Sequence, residues 1–141
     1  MEVAHVRNRL RTAIDRARQE AQSRRQRVAE AEQEYAAFLK MAEPILRQLM
    51  SALRAEGIAF TLFTPEQSLR LASDRSRVDF VELTLDTNAQ PPEVVLRTSH
   101  ARGSRTLEEE RPLKAGASPA DVSEDELLSR LLETLAPWLE R

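Results

Sequence analysis

The sequence predicts an α+β fold. It has a long, kinked, coiled-coil-like N-terminal helix, a four- to five-stranded antiparallel meander, and a C-terminal helix packed on one sheet face. Three observations predict it. From Met1 to Glu43 there is no Gly and no Pro, and Ala, Arg, Glu and Gln dominate. Beyond Gly57 the apolar period changes from helical spacing to strict alternation. Finally, "ADVSEDELL" (120–128) carries the signature of a fresh helix start.

The first helix is favoured by residues that lose little rotamer freedom in helical geometry. Its apolar residues keep a seven-residue repeat. With Ile14, Ala21, Val28, Tyr35, Ala42 and Leu49 at a, the d sites are Val3, Leu10, Ala17, Arg24, Ala31, Phe38, Ile45 and Ala52. The repeat holds for about seven heptads, the pattern of a left-handed supercoil. Only Arg7 and Arg24 place a charge on the seam. Pro44 removes a hydrogen bond and crowds the preceding turn, yet Ile45 and Leu49 keep the phase, which predicts a kinked continuous helix. Gly57 supplies its stop. Past Tyr35 the stripe widens, because Leu39, Leu46 and Leu53 all fall at e. A narrow seam suits a helical partner and a wide one suits a globular body. A helix of some 50 residues spans roughly 75 Å, whereas the remainder makes a body only about 30 Å across. Residues 1–37 are therefore expected to project, and 38–141 to form the compact α+β domain with the end of the long helix.

Strands are expected at 58–64, 67–73, 77–86 and 93–99, with a charged edge strand at 105–111. The short separators favour antiparallel neighbours. Alternation slips between Phe80 and Val81, which predicts a bulge or burial on both faces. In the last helix Ser123 and Glu126 form a capping box, and Val122 with Leu127 a hydrophobic staple. Leu127, Leu128, Leu131, Leu132 and Leu135 are expected to form one sheet-facing side, Pro137 to end or kink the helix, and Trp138 with Leu139 to close the rim.

The chain has 41% hydrophobic and 31% charged residues, a net charge of −2 and no Cys. These numbers argue against a globally basic nucleic-acid binder and exclude thiolate chemistry. No stretch approaches the roughly 20 apolar residues of a membrane helix, so no membrane partner is expected and a cytoplasmic location is the default. His5 and His100 lack further ligands at metal spacing, and Gly57, Gly103 and Gly116 are too scattered for a phosphate loop. No catalytic residue, metal or cofactor is therefore expected. "TSHARGSR" (98–105) gathers His100, Arg102 and Arg105 around Gly103, a candidate anion-binding turn whose bland counterpart is a solvated hairpin tip. Glu108, Glu109 and Glu110 read as edge protection.

The expected function is a non-enzymatic, homo-oligomeric protein-interaction or assembly module, paired through Leu10, Ile14, Ala17, Ala21, Arg24, Val28, Ala31 and Tyr35. Its partners would be a second copy and another protein. In a parallel pair, Glu20 would meet Arg25 of the second copy and Arg27 would meet Glu32. That arrangement also stacks Arg24 on its own counterpart, so an antiparallel pair stays open. The alternative is nucleic-acid binding through Arg11, Arg18, Arg25 and Arg27. Through Arg27 the chain holds eight Arg against Glu2, Asp15 and Glu20, a local balance of 8 − 3 = +5.

Overall fold

The computed structural model describes residues 1–140. Helix α1 (Val3–Ala55) leads into strands β1 (Phe60–Phe63), β2 (Leu69–Ser73), β3 (Phe80–Asp86), β4 (Glu93–Arg102) and β5 (Arg105–Pro112). A 3-10 turn (Pro119–Asp121) then precedes helix α2 (Glu124–Leu139). The strands form one antiparallel sheet in the order β1-β2-β3-β4-β5. Such a meander is what short, turn-forming separators permit. The α+β expectation is met, and β5 is a regular edge strand rather than a doubtful fifth.

Helix α1 runs 53 residues and passes through Pro44 unbroken. Pro44 is exposed between the buried Ala42 and Leu46, on the side away from the core, where water can take the freed carbonyl. The C-terminus closes in a Schellman motif. The Ile58 amide donates to Leu53 O at 2.8 Å and the Gly57 amide to Arg54 O at 3.0 Å. Gly57 sits at φ +80°, where a side chain would be strained.

One face of the sheet is covered by both helices. Tyr35, Phe38, Ala42, Leu46, Leu49 and Leu53 of α1 pack with Leu71, Val81, Leu83 and Leu96 of the sheet and with Leu127, Leu131, Leu135 and Trp138 of α2. Register brings the strand residues together, pairing Leu71 with Val81 and Leu83 with Leu96. The slip at Phe80 and Val81 is not a bulge, since both residues keep consecutive partners in β2 and β4. Instead Phe80, Val81, Glu82 and Leu83 are all buried, so β3 is covered on both faces.

Helix α2 begins with the expected capping box: the Glu126 amide donates to Ser123 Oγ at 3.1 Å, and the Ser123 amide to Glu126 Oε1 at 3.2 Å. Its leucines divide differently from the expectation. Leu127, Leu131 and Leu135 are fully buried, whereas Leu128, Leu132 and Leu139 are exposed. At about 100° per residue the first three and Trp138 share one arc, and the others fall on the next arc. Pro137 does not end the helix, which continues to Leu139 and thereby carries Trp138 inward. There the indole Nε1 donates to Asp79 Oδ2 at 3.1 Å, and the Ala101 amide donates to Asp79 Oδ1 at 2.7 Å. A buried carboxylate with a donor on each oxygen ties α2, β3 and β4 together.

Tyr35 performs the same service at the other end. Its hydroxyl donates to Gln67 O at 2.7 Å and approaches Leu83 O at 3.3 Å. Gln67 occupies the left-handed region at φ 58°, so the phenol pins a turn that a non-glycine residue adopts reluctantly. Burial, and secondarily the charge of Glu82, push the Tyr35 phenol far above its ordinary pKa of 10.0. Its stabilising effect is therefore whole below pH 10 and is lost as pH rises beyond it. Tyr35→Phe is expected to lower stability by about 1–2 kcal/mol at neutral pH. Denaturant titration from pH 7 to 11 should also show a flatter alkaline decline in the variant.

Candidate functional site

The first 20 residues of the chain are exposed throughout. Val3, Val6, Leu10 and Ile14 keep 73%, 50%, 58% and 38% of their surface in water. At about 100° per residue, Val3, Leu10 and Ala17 point within about 60° of buried Ala42. The stripe that faces the core thus continues along the bare part of α1 with nothing from this chain upon it. The exposed large residues form a line on one helix face rather than scattered single exposures.

The expected seam residues fall into three groups. Leu10, Ile14, Ala17 and Arg24 are exposed, Ala21 and Val28 are half-buried, and Ala31 and Tyr35 are buried in this chain's own core. Cover begins where the β3–β4 loop reaches the helix: Thr87, Asn88 and Gln90 line a crevice with Ala21, Arg24 and Val28. The free arm is therefore Val3–Glu20, and residues 31–37 belong to the body. Arg11, Arg18, Arg25 and Arg27 are exposed along the arm and the stretch after it. Among the described residues, none of them forms an ion pair within the chain.

At the β4–β5 hairpin, Arg102 and Arg105 are direct register partners flanking Gly103, which sits at φ +65°. Both are exposed and lie on one face of the ribbon. His100 stands apart from the tip, because β4 is longer than expected. Its ring meets Trp138 edge-on at 5.6 Å, half-buried against the core. The structure brings the two arginines together and assigns the histidine to packing.

A groove of about 450 Å³ separates α2 from the β4–β5 end of the sheet, bordered by Leu96, Leu107, Glu109, Arg130 and Thr134. Most of its charges are engaged, Glu108 being the exception. Arg130 donates to Leu113 O at 3.2 Å, to Pro112 O at 3.4 Å and to Glu133 at 3.1 Å, and Arg111 pairs with Glu109. Among the described residues no three His, Asp or Glu side chains converge as metal ligands, and no helix is long and apolar enough to cross a membrane.

The uncovered sheet face carries a feature that the sequence reading missed. Arg70, Glu82, Arg97 and Glu110 are successive register partners across β2, β3, β4 and β5. Arg70 Nε donates to Glu82 at 2.7 Å, and Arg97 approaches the same carboxylate at 3.8 Å. Both guanidinium groups lie over the Phe80 ring, at 4.1 and 5.6 Å from its centre. The two guanidinium groups thereby shelter an aromatic ring on a face that no helix covers. The signal was one lone charge in the middle of each of β2, β3 and β4, whose signs alternate once the strands are laid side by side.

Compared with known proteins, the chain matches no family model, no curated sequence and no solved structure. Replacing Glu82 with Gln leaves two arginines facing each other across Phe80. A loss of about 1–3 kcal/mol is expected from urea unfolding. The exposed end of the row, in Glu110→Gln, should stay within about 0.5 kcal/mol of the parent.

Proposed function

We propose that this chain is a non-enzymatic, homo-oligomeric protein-interaction or assembly module. The α1 arm joins copies of the chain, and the α+β body presents a second surface to another protein. One observation carries the reading: the core-facing stripe of α1 extends 20 residues past the body with its apolar residues in water. Water penalises that exposure, and a matching helix relieves it. The exposed line of Leu128, Leu132 and Leu139 on α2 supports the second half of the reading, as an apolar strip on the body itself.

Sedimentation equilibrium of the full-length chain checks this. The parent should exceed its monomer mass of 16.0 kDa at micromolar concentration. Ile14→Asp should return it to monomer while leaving the cooperative unfolding of the body unchanged, because Ile14 touches none of the core. A parent that stays monomeric overturns the proposal.

A second reading, nucleic-acid binding through the arm, draws on the exposed and unpaired arginines described above. It expects affinity for duplex DNA that falls steeply between 50 and 200 mM salt, on the order of 10³-fold for six contacts. Replacement of Arg18, Arg25 and Arg27 by Gln should flatten that slope. Binding that ignores salt excludes it.

A further inference from the structure

We propose that the two arms pair antiparallel, with the tip of each α1 lying beside Ala21 of the second copy. This rests on the arm pairing proposed above and adds its direction and register.

The body itself sets the direction. It sits on the same side of α1 as the free stripe, and its cover starts at Ala21 with Thr87, Asn88 and Gln90 alongside. Helices that pair through such stripes lie only about 8–10 Å apart. In a parallel pair, both bodies would face into that gap from Ala21 onward. Even two stacked sheets need about 10 Å between them, so two bodies cannot share the space between the paired helices. The contacts that favour a parallel pair, Glu20 with Arg25 and Arg27 with Glu32, fall largely in this stretch. Arg25 and Glu32 line the crevice held by the β3–β4 loop.

Reversing one helix removes the conflict. The free arm, Val3–Glu20, is about 27 Å long. Two such arms laid head to tail overlap fully, and each body lies beyond the other's N-terminus. The register then follows from matching a to d sites, as antiparallel packing requires. Val3 meets Ala21 of the second copy, Leu10 meets Ile14, and Arg7 meets Ala17. Large residues face small ones at the ends, and the two largest layers lie beside the two-fold axis. The Arg7 stem lies over a methyl group while its head reaches water. Arg24, which a parallel pair would stack on itself, lies outside the overlap. The one like-charge contact, Arg11 against Arg11 at the axis, is at the surface and screened by salt. Such a pair is isologous and closes as a dimer.

The absence of native cysteine makes a direct test possible. Val3→Cys and Ala21→Cys chains are prepared separately and together at full length, oxidised at a concentration where the parent is dimeric, and resolved without reductant. The mixture should cross-link at least tenfold more than either variant alone. Equal cross-linking by the Val3→Cys chain alone would show a parallel pair and overturn this inference while leaving the proposed function intact. A dimer that cross-links in neither arrangement overturns the arm as the joint. A parent that remains monomeric overturns the proposed function and this inference with it. A monomer that instead sediments with phosphatidylserine vesicles, and ceases to do so as Leu10→Asp, would reassign the stripe to a lipid surface.

Discussion

Everything in this molecule hangs on one continuous stripe along one helix. Helix α1 supplies six residues of the core, from Tyr35 to Leu53, and both the sheet and α2 pack against it. The same stripe, in the same phase, runs on through Ala17 to Val3 with no cover. A helix cannot change its face without breaking its period. The side that docks the body is therefore also the side left bare along the arm. Pro44 confirms how strictly the phase is kept, since it stands on the outer face, where its lost hydrogen bond disturbs neither use.

With both helices on one side, the opposite face of the sheet has only its own side chains for shelter. An antiparallel sheet commonly leaves such a face to polar residues. Here β3 places Phe80 in its middle, and the face answers with arginine rather than a third layer. Arg70 and Arg97 cover the ring with their guanidinium groups and share Glu82 between them. Exposed ion pairs usually contribute little, but Glu82 is buried, so its two partners matter more than surface geometry suggests. The sheet's free edges are treated differently: β5 carries Glu108, Glu109 and Glu110 in a row, which repel a second β5 laid against them.

Much of this was legible because it is local. A capping box is defined by three-residue spacing, so Ser123 and Glu126 announced α2. Gly57 announced the end of α1, and alternation announced five strands whose short turns left a meander as the simplest arrangement. What stayed hidden depends on contacts distant in sequence. Five leucines in α2 cover too wide an arc for period alone to choose among them, and docking of Trp138 on Asp79 decides which face inward. The division of the seam was hidden for the same reason. Nothing near Ala21 tells that the β3–β4 loop folds back to it, and the widening of the stripe past Tyr35 does not tell that Tyr35 itself enters the core. Arg70, Glu82, Arg97 and Glu110 were each visible, but their row exists only once four registers are known. His100 looked like a ligand at a hairpin tip because β4 runs three residues longer than its apolar pattern, to Arg102 instead of Ser99.

The arm's weakness as a free helix is less severe than its sequence implies. Nucleation is the unfavourable step in helix formation, by a factor near 10⁻³, whereas extension of an existing helix by Ala, Arg, Gln and Glu is close to neutral or favourable. Residues 31–55 of α1 are held helical by the core, so the arm only extends a nucleus that the body provides. It is thus preformed for a partner, and association need not order it first. The seam of the proposed pair is modest, with Ala17 and Ala21 at two of its sites and Val3, Leu10 and Ile14 as its large apolar residues. In the proposed pair, pre-organisation joined to a small buried area would make an assembly that forms quickly and separates readily. Such a pair would respond to the chain's own concentration, while the body behind it keeps its own core.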